Sequence, residues 1–158
     1  MNILIVGCCG VGKTWVMKNL LDPSMRKLKL GKICFHHKGS LVVVGKYDGS
    51  LFEGSDKLSM SAITDIGFLL SYLRSNKAHA VYEGDRFMNQ TFIRKAKPTI
   101  IKIEGDGAEG RAKRGSKQTS GHLKRITTRV AKTSADYTVA SSTACLHKVR
   151  ELVATEYA

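Results

Sequence analysis

Eight residues near the start of the chain have the types and spacing of a phosphate-binding loop. Glycines let successive backbone N–H groups wrap a phosphate, and the N-terminus of a following helix adds partial positive charge. Lys13 can then reach the β- and γ-phosphates, and Thr14 can offer its hydroxyl to Mg²⁺. The pattern predicts a site for a nucleoside triphosphate and Mg²⁺, with ATP as the default and GTP left open. The loop consists of Gly7, Cys8, Cys9, Gly10, Val11, Gly12, Lys13 and Thr14.

A Mg²⁺–nucleotide site also needs a carboxylate at the end of a strand. The extended segment 79–83 ends at Glu83, and Asp85 and Arg86 follow directly. In open α/β sheets the carboxyl ends of the strands line the ligand crevice. We therefore expect Glu83 or Asp85 to complete the metal shell and Arg86 to face the same site. A solvated turn is the alternative interpretation.

A further acidic candidate, Asp56, lies in a loop between a strand and a helix. Phosphoryl transfer to a phosphate needs no base, because the acceptor oxygen is already anionic. Transfer to an alcohol benefits from a carboxylate that takes or orients the hydroxyl proton. Asp56 is predicted to have this role, and a helix cap or turn residue is an equally open interpretation.

Alternating strands and helices must position these groups. Helices are predicted over 13–21, 59–75, 87–96 and 144–154, the stretch 48–59 has loop composition, and 33–37 is a short extended run. The alternation indicates one α/β domain over residues 1–158 with a mainly parallel sheet. The segment 107–132 is predicted to be an insertion in it. The main strands are predicted at Asn2–Val6, 41–47, 79–82, Thr99–Ile103 and 137–140.

The charge is concentrated in one part of the chain. Among 158 residues, 26 are Lys or Arg and 13 are Asp or Glu, a net charge of +13. Residues 111–132 hold eight basic residues and no acidic one, and a smaller basic group comprises Arg26, Lys27, Lys29 and Lys32. Such an excess favours a polyanionic partner, although a charge run is often only a solvated face.

Composition excludes other classes of protein. No apolar stretch approaches the ~20 residues that span a bilayer, and no signal peptide fits the start of the sequence. The four cysteines form no CxxC pair, so a disulfide scaffold is not expected. These features predict a cytoplasmic protein without a membrane partner.

Together with the phosphate loop, Glu83-Gly84-Asp85-Arg86-Phe87 resembles the P-loop nucleoside and nucleotide kinases. An acid–Arg pair at this strand end, as in the DR[YFH] motif of thymidylate kinases, contacts the acceptor in that family. The resemblance covers most of the chain as a pattern of elements, and it implies a three-layer sandwich around a mainly parallel, five-stranded sheet. It also implies a basic lid over 107–132 that stabilises the γ-phosphoryl group in transfer. The lid residues in question are Arg111, Arg114 and Lys117.

Two loop strings, 45–48 and 54–59, look more like small phage-type kinases, including kinases of 5-hydroxymethyluracil in DNA. The resemblance then implies a catalytic set of Lys13, Asp56, Asp85, Arg86, Arg111 and Arg114, a location in the host cytoplasm, and DNA as partner of the basic segments. A deoxynucleoside monophosphate kinase acting on free nucleotides is the main alternative. A nucleotide-dependent switch that grips nucleic acid is a third.

Overall fold

The computed structural model describes residues 1–49 and 53–155, so positions 50–52 of the predicted loop and 156–158 of the predicted domain lie outside the described residues. Within these residues, seven strands and six α-helices follow one another. The strands are β1 (Asn2–Val6), β2 (Arg26–Leu30), β3 (Ile33–Lys38), β4 (Leu41–Val44), β5 (His79–Glu83), β6 (Thr99–Ile103) and β7 (Tyr137–Val139). The helices are α1 (Lys13–Leu20), α2 (Ile66–Ser75), α3 (Gln90–Ala96), α4 (Ala108–Lys113), α5 (Ser120–Lys132) and α6 (Ser142–Thr155).

The strands form one mixed sheet in the order β2-β3-β4-β5-β1-β6-β7. Neighbours pair in parallel across the five strands β4, β5, β1, β6 and β7. The pairs β2–β3 and β3–β4 are antiparallel. The prediction of an α/β fold is confirmed. The prediction of five strands is wrong, because an antiparallel hairpin extends the sheet at one edge.

The additional strand β2 coincides with the basic group around Arg26. Leu28 and Leu30 are half-buried and pack against the core, while Lys27 and Lys29 are exposed. This alternation is that of a strand with one solvated face, and lysines are common on edge strands, where they discourage pairing with another chain. The density of charge concealed the alternation in the sequence.

Helices cover both faces of the sheet. On one face, Ile66 and Leu69 of α2, Phe92 of α3 and Val130 of α5 belong to one buried cluster. On the other face, α1 and α6 bury Met17, Cys145 and related residues in a second cluster. Successive residues of β1 alternate between the clusters, as the two-residue period of a strand requires.

Two helices begin later than predicted. Helix α2 begins at Ile66, because Thr64 Oγ1 donates to the carbonyl of Ser61 at 2.7 Å and a 3₁₀ turn occupies Ala62–Asp65. Such local side-chain bonds compete with an α-helix. Helix α3 begins at Gln90, because the side chain of Asn89 accepts the N–H groups of Thr91 and Phe92. Within the described ranges, no helix is long and apolar enough to cross a membrane.

Candidate functional site

The phosphate loop joins the end of β1 to the start of α1, as its sequence predicts. Gly10 and Gly12 have φ angles of 93° and 98°, which L side chains rarely adopt. Lys13 Nζ donates to the carbonyls of Gly7 at 2.8 Å and Cys8 at 2.9 Å, so the ammonium group lies against the loop. Burial lowers the pKa of this ammonium, and the nearby Glu83 carboxylate opposes that effect.

Glu83 ends β5, next to β1 in the sheet, and its carboxylate meets the start of α1. Thr14 Oγ1 donates to Glu83 Oε1 at 3.1 Å, and Tyr47 OH donates to the same oxygen at 3.3 Å. Only 3% of Glu83 is exposed. Burial raises the pKa of Glu83 to about 7, against the opposing influence of Lys13 and of the two hydroxyl donors.

This donor set fits Mg²⁺. The hydroxyl of Thr14 and the carboxylate of Glu83 are hard oxygen ligands, and Mg²⁺ in phosphoryl-transfer sites takes one or two protein oxygens besides phosphate and water. Among the residues that the structure describes, no group of three or more His, Cys, Asp or Glu side chains could hold a metal by itself. Asp85, the other predicted metal partner, is instead paired with Arg129 of α5.

Asp56 is exposed and lines the same cleft, on a 3₁₀ turn over Ser55–Lys57. Its side chain is not the cap of that turn, because Gly54 holds the cap position. Gly54 exchanges two backbone hydrogen bonds with Lys46, of 2.7 and 3.1 Å, and a Cβ at Gly54 would lie 2.4 Å from Glu83 Oε1. The loop that presents Asp56 therefore packs directly on the Glu83 carboxylate.

Arg86 holds that loop from the other side. Its Nε donates to the carbonyl of Ser55 at 2.9 Å, and its NH2 group donates to the carbonyl of Asp56 at 3.2 Å. Arg86 lines the cleft as predicted. Its described hydrogen bonds to backbone carbonyls fix the position of Asp56.

The predicted lid consists of α4, α5 and the turn between them, and α4 lies against the phosphate loop. Arg111 donates to the carbonyls of Cys9, at 2.7 Å, and Asp106. A Cβ at Gly110 would lie 2.0 Å from the carbonyl oxygen of Gly10, so no side chain fits between helix and loop. Arg111 thus attaches α4 to the loop.

Helix α5 also contacts the phosphate loop and the end of β5. Cys8 Sγ lies 3.8 Å from Thr127 Oγ1, and Arg129 forms its ion pair with Asp85. Arg114 is exposed and lines the cleft, whereas Lys117 is exposed outside its lining.

A cleft of about 1930 Å³ unites most of the predicted residues. Its walls are the phosphate loop, the Asp56 turn, the end of β5, and one side of α4 and α5. Of the predicted site residues, the cleft lining includes Gly7, Cys9, Gly10, Val11, Gly12, Lys13, Thr14, Asp56, Glu83, Asp85, Arg86 and Arg114. Cys8 is buried behind the loop, and Arg111 is engaged with the Cys9 carbonyl.

Three contributors were missing from the sequence-based prediction. Tyr47 bonds Glu83, Arg129 pairs with Asp85, and Gly110 permits the approach of α4. For Gly110, the glycine spacing before Arg111 was the one signal in the sequence that a close backbone approach occurs there. Tyr47 lies in the string 45–48, but the sequence does not indicate its contact with Glu83, because the two residues are 36 positions apart.

Comparisons of the chain with protein-family models, with curated proteins and with solved structures found no match.

Proposed function

We propose that the chain is a cytoplasmic, ATP-dependent phosphotransferase with the fold of a P-loop kinase sandwich. The observation that carries the proposal is the meeting of Lys13, Thr14 and Glu83 at the loop between β1 and α1. The order β4-β5-β1-β6-β7 of the parallel strands supports it. The loop follows the central strand of these five, and the acidic residue ends its neighbour.

The chain's own groups account for the binding of a triphosphate. Backbone N–H groups of the loop and the ammonium of Lys13 would hold the phosphates, and Arg114, which lines the cleft at the end of α4, would add positive charge. Thr14 and Glu83 would hold Mg²⁺, which neutralises charge on the phosphate oxygens when bound. Arg111 would act indirectly, by keeping α4 against the loop.

The acceptor that this site favours is an alcohol. Its oxygen would attack the γ-phosphorus, the bond to the bridging oxygen of ADP would break, and Asp56 would take the hydroxyl proton. Asp56 lines the cleft and is held by its backbone, which leaves its carboxylate available for that proton. We therefore propose a hydroxyl on a nucleotide or nucleic acid, with a modified pyrimidine of the 5-hydroxymethyluracil type in phage DNA as the leading candidate.

A kinase of free deoxynucleoside monophosphates is the second candidate, supported by the Asp85-Arg86 string. In that role both side chains contact the acceptor. Here Asp85 pairs with Arg129, and Arg86 bonds two backbone carbonyls, which favours the alcohol acceptor.

A labelling experiment tests the proposal. The protein is incubated with γ-labelled ATP and Mg²⁺ in three parallel reactions. Each reaction contains one acceptor: DNA with 5-hydroxymethyluracil, unmodified DNA, or free deoxynucleotides. Label on the modified DNA supports the leading candidate, and label on free nucleotides alone supports the second. Slow hydrolysis without a labelled acceptor would contradict the kinase proposal and favour a nucleotide-dependent switch.

Two substitutions sharpen the result. Lys13→Ala should abolish transfer, and retained activity would overturn the assignment of the phosphate loop. Asp56→Asn should slow transfer to an alcohol by ~10²-fold. Asp22→Asn is the matched control, because Asp22 pairs with Lys38 at the surface and does not line the cleft.

A further inference from the structure

One flank of α5, beside the cleft, carries a row of basic side chains. His122, Arg125, Arg129 and Lys132 are spaced by three, four and three residues, which aligns them along one side of a helix. His122 and Arg129 line the cleft. Arg125 lies between them along the helix and Lys132 follows Arg129, and both of these side chains are exposed.

Two members of this row, Arg125 and Lys132, carry charge that no ion pair of the described residues neutralises. Arg129 is paired with Asp85. Among the ion pairs of the described residues, none involves Arg125 or Lys132. Seven residues separate these two, a rise of about 10 Å along the helix. Two uncompensated cations at this spacing suit a chain of phosphates better than a single phosphate.

The size of the cleft also favours a ligand larger than a nucleotide. Sites for small molecules and cofactors usually have volumes of about 300–1,000 Å³. The cleft here has about 1930 Å³, which leaves room for a second large group beside a nucleotide. Two residues of the cationic row, His122 and Arg129, belong to the wall of this cleft.

We propose that this flank of α5 binds the sugar–phosphate backbone of single-stranded or locally opened DNA. Arg125 and Lys132 contact phosphates, and the strand passes Arg129 to deliver one base into the cleft. The inference rests on the proposed function and specifies its acceptor as a polymer. A base stacked inside a duplex cannot reach the reacting groups in the cleft, so the acceptor base leaves its stack.

The other basic group is not part of this surface. Strand β2 lies four positions from β1 in the sheet, beyond β3, β4 and β5. Strand β2 runs in the same direction as β4 and the other parallel strands. Arg26 begins β2 and therefore lies at the N-terminal end of these strands, whereas the phosphate loop lies at their C-terminal end. We assign the nucleic-acid contact to α5 alone.

Binding of a dye-labelled oligodeoxynucleotide of about 15 nucleotides, measured by fluorescence anisotropy at several salt concentrations, tests the proposal. The double variant Arg125→Gln/Lys132→Gln should bind more weakly. Its slope of log affinity against log salt should fall in magnitude by about 1.4, from two lost phosphate contacts at about 0.7 each.

The control variant Arg74→Gln/Arg150→Gln removes the same charge at the other end of the parallel strands, away from the phosphate loop. Arg74 lies at the end of α2 just before β5, and Arg150 donates to the carbonyl of Asn19 at the end of α1. This variant should keep the slope of the native protein. Equal losses of DNA affinity in the two double variants would overturn the proposal, because net charge alone would then explain binding. The same conclusion would follow if the Arg125→Gln/Lys132→Gln substitutions weakened the binding of polyglutamate as much as the binding of DNA.

ATP affinity measured on the same proteins separates the two levels of inference. Unchanged ATP affinity in both double variants shows that they are folded and that the phosphate loop is intact. If the flank substitutions leave DNA binding unaltered while ATP is still bound and transferred, the α5 inference is wrong and the proposed kinase function stands. If Lys13→Ala fails to affect transfer, the proposed function itself is wrong.

Discussion

Replacing Gly110 by alanine tests whether α4 lies against the phosphate loop. Gly110 is inside a helix, where alanine normally gains up to about 1 kcal/mol over glycine. At this position the new Cβ would lie 2.0 Å from the carbonyl oxygen of Gly10, 2.9 Å from its carbonyl carbon and 3.1 Å from its Cα. All three atoms belong to the backbone of the loop, so no side-chain rotation relieves the contact.

The expected result is therefore opposite to the helix propensity. Overpacking of this kind costs about 1–3 kcal/mol, which outweighs the gain from alanine. The loop and α4 must separate by an ångström or more, which displaces Lys13 relative to the phosphates. A misplacement of about 1 Å can slow an enzymatic step by about 10²-fold, and we expect transfer by Gly110→Ala to fall by that order.

Gly121→Ala is the matched control, because Gly121 is also helical and no atom lies within 4 Å of a Cβ placed there. It should raise the free energy of unfolding by up to about 1 kcal/mol and leave ATP affinity unchanged. Urea unfolding and ATP titration on both variants provide the comparison. If Gly110→Ala is as stable as Gly121→Ala and binds ATP like the native protein, α4 does not lie on the loop and the reasoning fails.

Three further predictions concern the carboxylate at the end of β5 and its neighbours. Burial raises the pKa of Glu83 from 4.5 to about 7, so the folded protein binds more protons than the unfolded chain between these values. The free energy of unfolding in EDTA should therefore fall by about 3 kcal/mol as the pH rises through that window. Glu83→Gln should lack this part of the pH dependence. If urea unfolding gives parallel plots of this free energy against pH for the native protein and the variant, the assignment is wrong. Tyr47→Phe removes a hydrogen bond to Glu83 worth about 1 kcal/mol, so the Mg²⁺ concentration for half-maximal transfer should rise about fivefold. Tyr82→Phe should leave that concentration unchanged, because the Tyr82 hydroxyl bonds Asn2 instead. Arg86→Gln should slow transfer and speed proteolysis near Asp56, because two carbonyl contacts are lost; unchanged digestion would show that Arg86 does not hold this loop.

Much of the framework was predictable because it depends on local pattern. The apolar run Asn2–Val6, the glycine loop and the Leu-Val-Val-Val stretch of β4 all occupy the elements expected of them. The hairpin strand β2 was missed because exposed lysines alternate with only two leucines, and the start of α2 was misplaced because serine and threonine side chains compete for its backbone. Both errors involve residues whose preferences depend on what lies beside them.

The candidate site divides in the same way. The sequence alone determined the phosphate loop, since its glycines and Lys13-Thr14 are adjacent in the chain, and it pointed to Glu83 through its position at a strand end. Only the tertiary structure decided the partners of the remaining groups. It paired Asp85 with Arg129, directed Arg86 to the backbone of the Asp56 turn, and brought Tyr47 onto Glu83. Those contacts join residues 30 to 44 positions apart, and the order of strands in the sheet, rather than any local preference, sets which of them meet.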